Sequence, residues 1–138
     1  MKRVLVLSLA LVLVIAAGCA TTSKGLSDEE QIKKQMEEGI ANVKAKNFEA
    51  FEKTISESFY AGVIGDKKDL LAYLENADDM GFLDGIEIDV SEAEIVVEGD
   101  KGTVSPVYAD GGFGSLGLSF EGAKENGVWM ITGLEPGY

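Results

Sequence analysis

The spacing of apolar residues changes at Gly85, and this change restricts the fold more than any other feature of the sequence. Before this glycine, apolar side chains recur every three or four residues, the period of a helix that buries one face. After it, Ile86, Ile88 and Val90 alternate with acidic residues, the period of a strand with one buried face. Helices therefore precede strands, an order that favours an α+β fold in which helices cover one face of an antiparallel sheet.

The first helix is predicted over residues 28–45. Ser27 and Glu30 have the spacing of a capping box, in which each side chain bonds to the backbone of the other residue. Acidic residues in the first turn also complement the positive end of the helix dipole. The apolar stripe that would face the core consists of Ile32, Met36, Ile40 and Val43.

Two further helices are predicted before Gly85. Asn47 can cap the second helix, and its apolar stripe is Phe48, Phe51, Ile55 and Phe59. The helical period is then lost in "SFYAGVIG", where a short strand or turn is expected. Asp66 can cap the third helix, "DKKDLLAYLENADD", which ends at "MGFLDG".

The strands follow Gly85. The segment "AEIVVEGDKGTVSPVYA" predicts two strands joined at "EGDKG", and "LGLSFEG" alternates as another strand. The dipeptide Asn126-Gly127 is a strong hairpin signal before a last strand around Val128 to Thr132.

The order of these elements resembles the nuclear transport factor 2-like, or SnoaL-like, domain. The resemblance covers most of residues 28–134 and rests on "KNFEAFEKTISESFY", "GDKKDLLAYL", "IEIDVSEAEIVVEGDKGTVSPVY" and "KENGVWMITGL". It implies a cystatin-like cone over residues 27–138, in which a curved antiparallel sheet surrounds the N-terminal helices and a pocket. It also implies a homodimer formed through the sheet.

Residues 1–18 have the composition of a secretory signal. Lys2 and Arg3 precede the apolar run "VLVLSLALVLVIAA", which is somewhat short for a helix that spans a bilayer. The run ends in "AAGC", and small residues before a cysteine resemble the bacterial lipobox. In that family the cysteine is acylated and the preceding peptide is removed. The resemblance therefore implies that Cys19 is lipidated and that Gly18 is the last residue lost.

The predicted anchor determines where the protein is located. Stable attachment requires more than one acyl chain, and residues 19–26 would form a lipidated tether of at most about 25 Å. Ala20 stands where an aspartate would resemble an inner-membrane retention signal, which favours the periplasmic side of the outer membrane. Two alternatives stay open, namely an ordinary secretory signal with an incidental cysteine and an uncleaved anchor.

The charge of the mature chain argues against some classes of partner. Removal of residues 1–18 takes away two basic residues and no acidic residue, so the formal charge changes from −12 to about −14. This balance disfavours nucleic acid, whose phosphates need clusters of lysine and arginine. It also disfavours lying flat on anionic lipid, and it keeps a tethered domain soluble.

The chain contains no histidine, which excludes Ser-His and Cys-His nucleophile pairs and the usual zinc sites. No cofactor or metal is expected. Gly112, Gly114 and Gly117 form a G-x-G-x-x-G pattern without the helix start that a dinucleotide site needs, so a hairpin loop or bulged strand is expected there. Five acidic residues lack the spacing of a calcium loop and are expected on the surface; these are Asp78, Asp79, Asp84, Glu87 and Asp89.

Aromatic residues are the candidate lining of a ligand pocket in the cone. The candidates are Tyr60, Tyr73, Phe82, Tyr108 and Trp129. Core packing is the alternative use of most of them.

Three functions fit the sequence. The first is a lipid-anchored envelope protein whose cone domain binds a small apolar ligand or an envelope partner without catalysis. The second is an isomerase, dehydratase or cyclase that uses a pocket aspartate or tyrosine, and the third is an assembly role through the exposed sheet face. Convergent tyrosine and carboxylate groups in a cavity would favour an enzyme, whereas a filled or apolar cavity would oppose one.

Overall fold

A computed structural model describes residues 25–137. Within this range the elements are α1 (Asp28–Lys44), α2 (Phe48–Glu52), β1 (Ile55–Ala61), β2 (Gly65–Asp66), α3 (Lys67–Asp79), β3 (Glu87–Asp89), β4 (Glu94–Glu98), β5 (Lys101–Gly111), β6 (Gly114–Glu125) and β7 (Val128–Pro136). None of the helices in this range is long and apolar enough to cross a membrane. The predicted lipidation of Cys19 and cleavage after Gly18 lie outside the described residues.

Both long helices begin at the caps that the sequence predicts, and the cap at Asp66 is a full capping box, which was not predicted. The Ser27 hydroxyl accepts a hydrogen bond from the Glu30 backbone N–H at 3.2 Å, and the Glu30 carboxylate accepts one from the Ser27 backbone N–H at 3.1 Å. Asp66 and Asp69 form the same arrangement at the start of α3. The caps satisfy backbone donors that the first turn leaves unpaired, so they fix where each helix begins.

The predicted second helix is wrong beyond Glu52. The helix α2 contains only five residues, and the last two members of its predicted stripe, Ile55 and Phe59, belong to β1. A spacing of four residues places two side chains on one face of a strand as well as on one face of a helix, so the stripe does not distinguish them. Pairing with β7 decides for the strand, and Ile131 donates its backbone N–H to the Thr54 carbonyl at 2.9 Å.

The strands form one sheet in the order β2–β1–β7–β6–β5–β3, with β4 also paired to β5. Neighbouring strands are antiparallel except β1 and β7, which are parallel. Parallel neighbours need a long crossover connection, and the chain from β2 to β6 supplies it. The α+β class is therefore confirmed, with helices packed on a sheet that is mixed rather than purely antiparallel.

The long strands β5 and β6 bend the sheet. The register between them shifts between Val104 and Val107, and the register between β6 and β7 shifts between Glu121 and Gly122. Bulges of this kind bend a strand and increase its twist. The sheet consequently curves around α1, and we call the face away from the helices the open face.

The core lies between the helices and the inner face of the sheet. One cluster joins α1 to β5 and β7 through Ile32, Val104, Val107 and Trp129. A second cluster joins α1, α2, α3 and β1 through Val43, Phe51, Ile55, Phe59, Ala61 and Leu70. The first helix thus reaches both halves of the core.

The hairpin predicted at Asn126-Gly127 is confirmed. Both residues have positive φ angles, 51° and 80°, as a type I′ turn requires. The strand after this turn is longer than expected, because it continues to Pro136. By contrast, the strand predicted directly after Gly85 is reduced to the three residues of β3.

Candidate functional site

The interior of the cone is almost filled. The cavity between α1 and the sheet has a volume of about 30 Å³. Pockets for small organic ligands are typically about 300–1,000 Å³, whereas a cavity of this size holds about one water molecule. The side chains around it are mainly apolar and include Ile32, Met36, Val104, Phe120, Trp129 and Ile131.

The indole of Trp129 fills the interior because two glycines leave room for it. Gly102 and Gly122 are paired across β5 and β6. A Cβ added to Gly102 would lie 3.4 Å from Trp129 Cζ3, and one added to Gly122 would lie 3.8 Å from Trp129 Cε3. The indole therefore packs against a backbone surface that has no side chains of its own, and only 4% of Trp129 stays exposed.

The structure does not bring the five predicted pocket residues together. Trp129 lines the interior cavity. Tyr60 on β1 and Tyr73 on α3 are 67% and 56% exposed, and Phe82 lies against the turn that joins β5 to β6. Tyr108 is 40% exposed and points to the open face, because its neighbours Val107 and Ala109 are buried on the inner face. The four surface residues line neither the interior cavity nor a common pocket among residues 25–137.

A much larger depression lies on the open face, and we call it the groove. Its volume is about 530 Å³. Strand register assembles it, because Thr103 on β5 lies opposite Val96 on β4 and opposite Glu121 on β6. Thr132 is the extra residue of the bulge on β7 and also lines the groove. The other polar residues along it are Ser58, Glu98, Lys101 and Glu125.

Sequence analysis did not identify the groove. Its residues come from five strands, and their side chains meet only through the pairing of those strands. The sequence does indicate which side chains point outward, because polar and apolar residues alternate along each strand. Thr103, for example, lies between Gly102 and Val104, which are buried. That signal shows which side chains point outward but not which of them meet.

Next to the groove, the hydroxyl of Ser56 lies beside the carboxylate of Glu125. The Ser56 hydroxyl lies 2.8 Å from Glu125 Oε2 and 2.9 Å from the Ser58 hydroxyl. Only 1% of Ser56 is exposed, so a substrate carbonyl has no access to this hydroxyl. The contact therefore connects β1 to the end of β6 and does not form a nucleophile.

The start of α1 is held on the sheet by a second polar cluster. Asp28 Oδ1 accepts hydrogen bonds from Lys124 Nζ at 2.8 Å and from Trp129 Nε1 at 3.1 Å. The bond from Lys124, followed by the bond from Trp129, holds the pKa of Asp28 below its ordinary value. The point where the tether would enter the domain is consequently attached to β6 and β7.

Three of the acidic residues between 78 and 89 form ion pairs with lysines instead of standing alone on the surface. Lys46 Nζ lies 2.6 Å from both Asp78 and Asp84, and Lys44 Nζ lies 3.3 Å from Glu87. The hydrogen bond to Asp78, followed by that to Asp84, raises the pKa of Lys46. Each pair connects the end of α1 to residues near the end of α3 or in β3.

No group of three or more metal-ligating side chains occurs within the described range.

The glycine pattern forms a hairpin, as expected. Gly111 pairs with Gly114, and the two residues between them make the turn from β5 to β6. Gly117 lies within β6. No helix begins after the pattern, so it does not provide the amide donors of a dinucleotide site.

Comparison with known proteins identifies the fold. No protein-family model and no curated protein matches the chain. A protein of unknown function with a cystatin-like fold from Nostoc punctiforme has 17% identity and a TM-score of 0.65, over 80% of this chain and 92% of that one. An NTF2-like protein with a cystatin-like fold from Novosphingobium aromaticivorans has 16% identity and a TM-score of 0.63, over 87% of each chain. The fold is NTF2-like.

The NTF2-like domain also resembles part of a longer protein. Bd1075 from Bdellovibrio bacteriovorus matches with 15% identity and a TM-score of 0.65. The match covers 76% of this chain but only 38% of Bd1075. At these identities the likeness concerns the fold alone, and function must be argued from the residues of the site.

The residues of this NTF2-like domain do not form a catalytic set within the described range. Asp66 caps α3, and the candidate tyrosines Tyr60, Tyr73 and Tyr108 are largely exposed at separate places. Glu121 contributes to the lining of the interior cavity, but its carboxylate lies over Gly133 on the open face, and no tyrosine lines that cavity.

Proposed function

We propose that the chain is a lipid-anchored protein of the bacterial cell envelope whose NTF2-like domain binds an envelope partner without catalysis. The binding site is the groove on the open face. The observation that carries this proposal is the contrast between an interior cavity of about 30 Å³ and an open groove of about 530 Å³. Tyr108, a half-exposed aromatic residue on the same face, is the type of residue that is enriched at protein interfaces.

The volumes favour a protein partner over a small apolar ligand. An apolar ligand would need the interior, where Trp129 and Phe120 occupy the space. The groove is wide and open, and its lining mixes polar side chains with Val96, Ala123 and two glycines, so it encloses a small apolar ligand poorly but offers a protein surface several hydrogen-bonding groups. The enzyme alternative needs an aspartate or tyrosine inside a pocket, and no observation on residues 25–137 favours it.

The anchor is proposed from the sequence at Cys19. Its location would be the periplasmic side of the outer membrane. Substitution Cys19→Ala should abolish incorporation of radiolabelled palmitate, because the thiol is the group that accepts the lipid. Unchanged labelling of the Cys19→Ala chain would refute the anchor.

Site-specific photo-crosslinking in intact cells tests the binding site. A photoreactive amino acid at Thr103 lies in the groove, whereas the same residue at Glu75 lies on the exposed surface of α3. We expect Thr103 to give a discrete adduct with another envelope protein and Glu75 to give none. No adduct from Thr103, or the same adducts from both positions, would contradict the proposal.

A further inference from the structure

The open face is strongly acidic. Antiparallel partners that lie directly opposite each other project to the same face of a sheet, so the register identifies its residues. Glu98 lies opposite Lys101, Glu121 lies opposite Thr103, and Glu135 lies opposite Ser119. On β4, β5, β6 and β7 the glutamates placed on this face are Glu94, Glu98, Glu121, Glu125 and Glu135, and the same strands place one lysine there, Lys101.

Within residues 25–137, none of these five carboxylates forms an ion pair with a lysine. The ion pairs in that range involve other carboxylates, and their lysines are Lys44, Lys46, Lys67 and Lys124. Glu98 and Glu121 border the groove and are exposed. The groove therefore has a net negative charge, with three glutamates and one lysine in its lining, and it attracts cationic groups and repels anionic ones.

The dimensions of the groove suit an extended segment of polypeptide. Its lining residues come from β4, β5, β6, β7 and β1, which are consecutive neighbours in the sheet. Four spacings of about 4.8 Å between strands give a length of about 19 Å. An extended segment advances by about 3.3 Å per residue, so about six residues span this distance.

We infer that the groove binds an extended, lysine- or arginine-bearing segment of a partner protein. This inference rests on the proposed function and adds the chemistry of the partner. In an extended segment alternate side chains point the same way, so basic residues at every second position would face Glu98 and Glu121. A second copy of this chain is a poor occupant, because a two-fold interface would place one acidic face against another.

A peptide-binding measurement on the full chain in a neutral detergent tests the inference. The probes are two fluorescent hexapeptides, one of alternating lysine and threonine and the other of alternating glutamate and threonine. We expect binding of the lysine peptide only, with an affinity that falls as salt rises. The double variant Glu98→Gln/Glu121→Gln should bind it about five- to tenfold more weakly, a loss appropriate to two exposed ion pairs.

The matched control is Glu37→Gln/Glu75→Gln, which removes the same charge from exposed positions on α1 and α3. It should bind the lysine peptide as the unmodified chain does. Equal binding of both peptides, or equal binding by the groove variant and the control, would overturn the inference.

Crosslinking from Thr103 shows whether only the inference about a basic segment fails or whether the proposed function fails as well. An adduct at Thr103 to a partner surface that has no basic segment would leave the proposed function standing and overturn only the inference. An adduct that maps to a basic segment supports both.

Discussion

At the scale of single residues, the closed interior depends on the contact between Trp129 and the glycine pair Gly102 and Gly122. An aromatic ring of this size can lie flat against a sheet only where side chains are absent. Its indole N–H also needs a partner when it is buried, and Asp28 accepts it. The same residues therefore fill the space between α1 and the sheet and hold the start of the first helix in place.

The substitution Gly102→Ala tests this contact. The added Cβ would lie 3.0 Å from Ile32 Cδ1, so that side chain must give by a few tenths of an ångström, and 3.4 Å from Trp129 Cζ3, at the edge of ordinary contact. We expect the free energy of unfolding in urea to fall by about 1–2 kcal/mol. In the control Gly62→Ala the added Cβ meets nothing within 4 Å, so the change should stay within about 0.5 kcal/mol. Equal effects of the two substitutions would show that Ile32 and Trp129 are not packed closely against Gly102.

Some residue-scale features could be predicted from the sequence and others could not. The capping box at Ser27 and the cap at Asp66 depend on residues close together in sequence, so local pattern was sufficient for them, whereas the reciprocal bond from Asp69 was not predicted. Contact between Trp129 and Gly102 depends on the alignment of strands that lie far apart in sequence. The identities of Trp129 and Gly102 do not indicate how these strands are aligned.

At the scale of elements, α1 is attached to the sheet at both ends by charge. Its first turn binds Lys124 and Trp129 through Asp28, and Lys44 in its last turn binds Glu87 on β3. Hydrophobic contacts from Ile32 and Val43 lie between these ends. The helix is thus held where it closes the cone.

The substitution Asp28→Asn tests the first attachment through its pH dependence. The pKa of Asp28 is lower in the folded chain than its ordinary value of 3.8. A lowered pKa contributes stability that is fully present above the ordinary value and is lost as pH falls through the folded value. Unfolding measurements should therefore show Asp28→Asn to be less stable at neutral pH, with the difference shrinking below about pH 3.8.

The exposed neighbour Glu29 provides the matched control, since it also lies in the first turn of α1. Glu29→Gln should change the stability at neutral pH much less than Asp28→Asn does. A constant difference between Asp28→Asn and the unmodified chain from neutral pH down to pH 2 would contradict the assigned role.

Sequence pattern identified most elements but misassigned the region from α2 to β1. The stripe from Phe48 to Phe59 has a spacing that both a helix and a strand can bury on one face. Long-range pairing of β1 with β7 selected the strand, and local propensity does not encode that pairing. The parallel orientation of this pair escaped prediction for the same reason.

At the scale of the whole molecule, the fold separates a closed interior from an open acidic face. The resemblance in element order was sufficient to predict the α+β, NTF2-like fold, because that order follows from hydrophobic periodicity. It was not sufficient to predict which side of the sheet is accessible. The accessible side depends on how much of the interior Trp129 fills and on the pairing of β4, β5 and β6, which brings outward-pointing glutamates together.

The central claim is that the chain uses the groove, and not the interior, to bind its partner. Carboxyl labelling with a carbodiimide and an amine, read by mass spectrometry, measures this directly on the unmodified chain. We expect Glu98 and Glu121 to be labelled several-fold more slowly in isolated envelopes than in the purified chain, while labelling of Glu37 and Glu75 is unchanged. Equal labelling of Glu98 and Glu121 in the two preparations would contradict it.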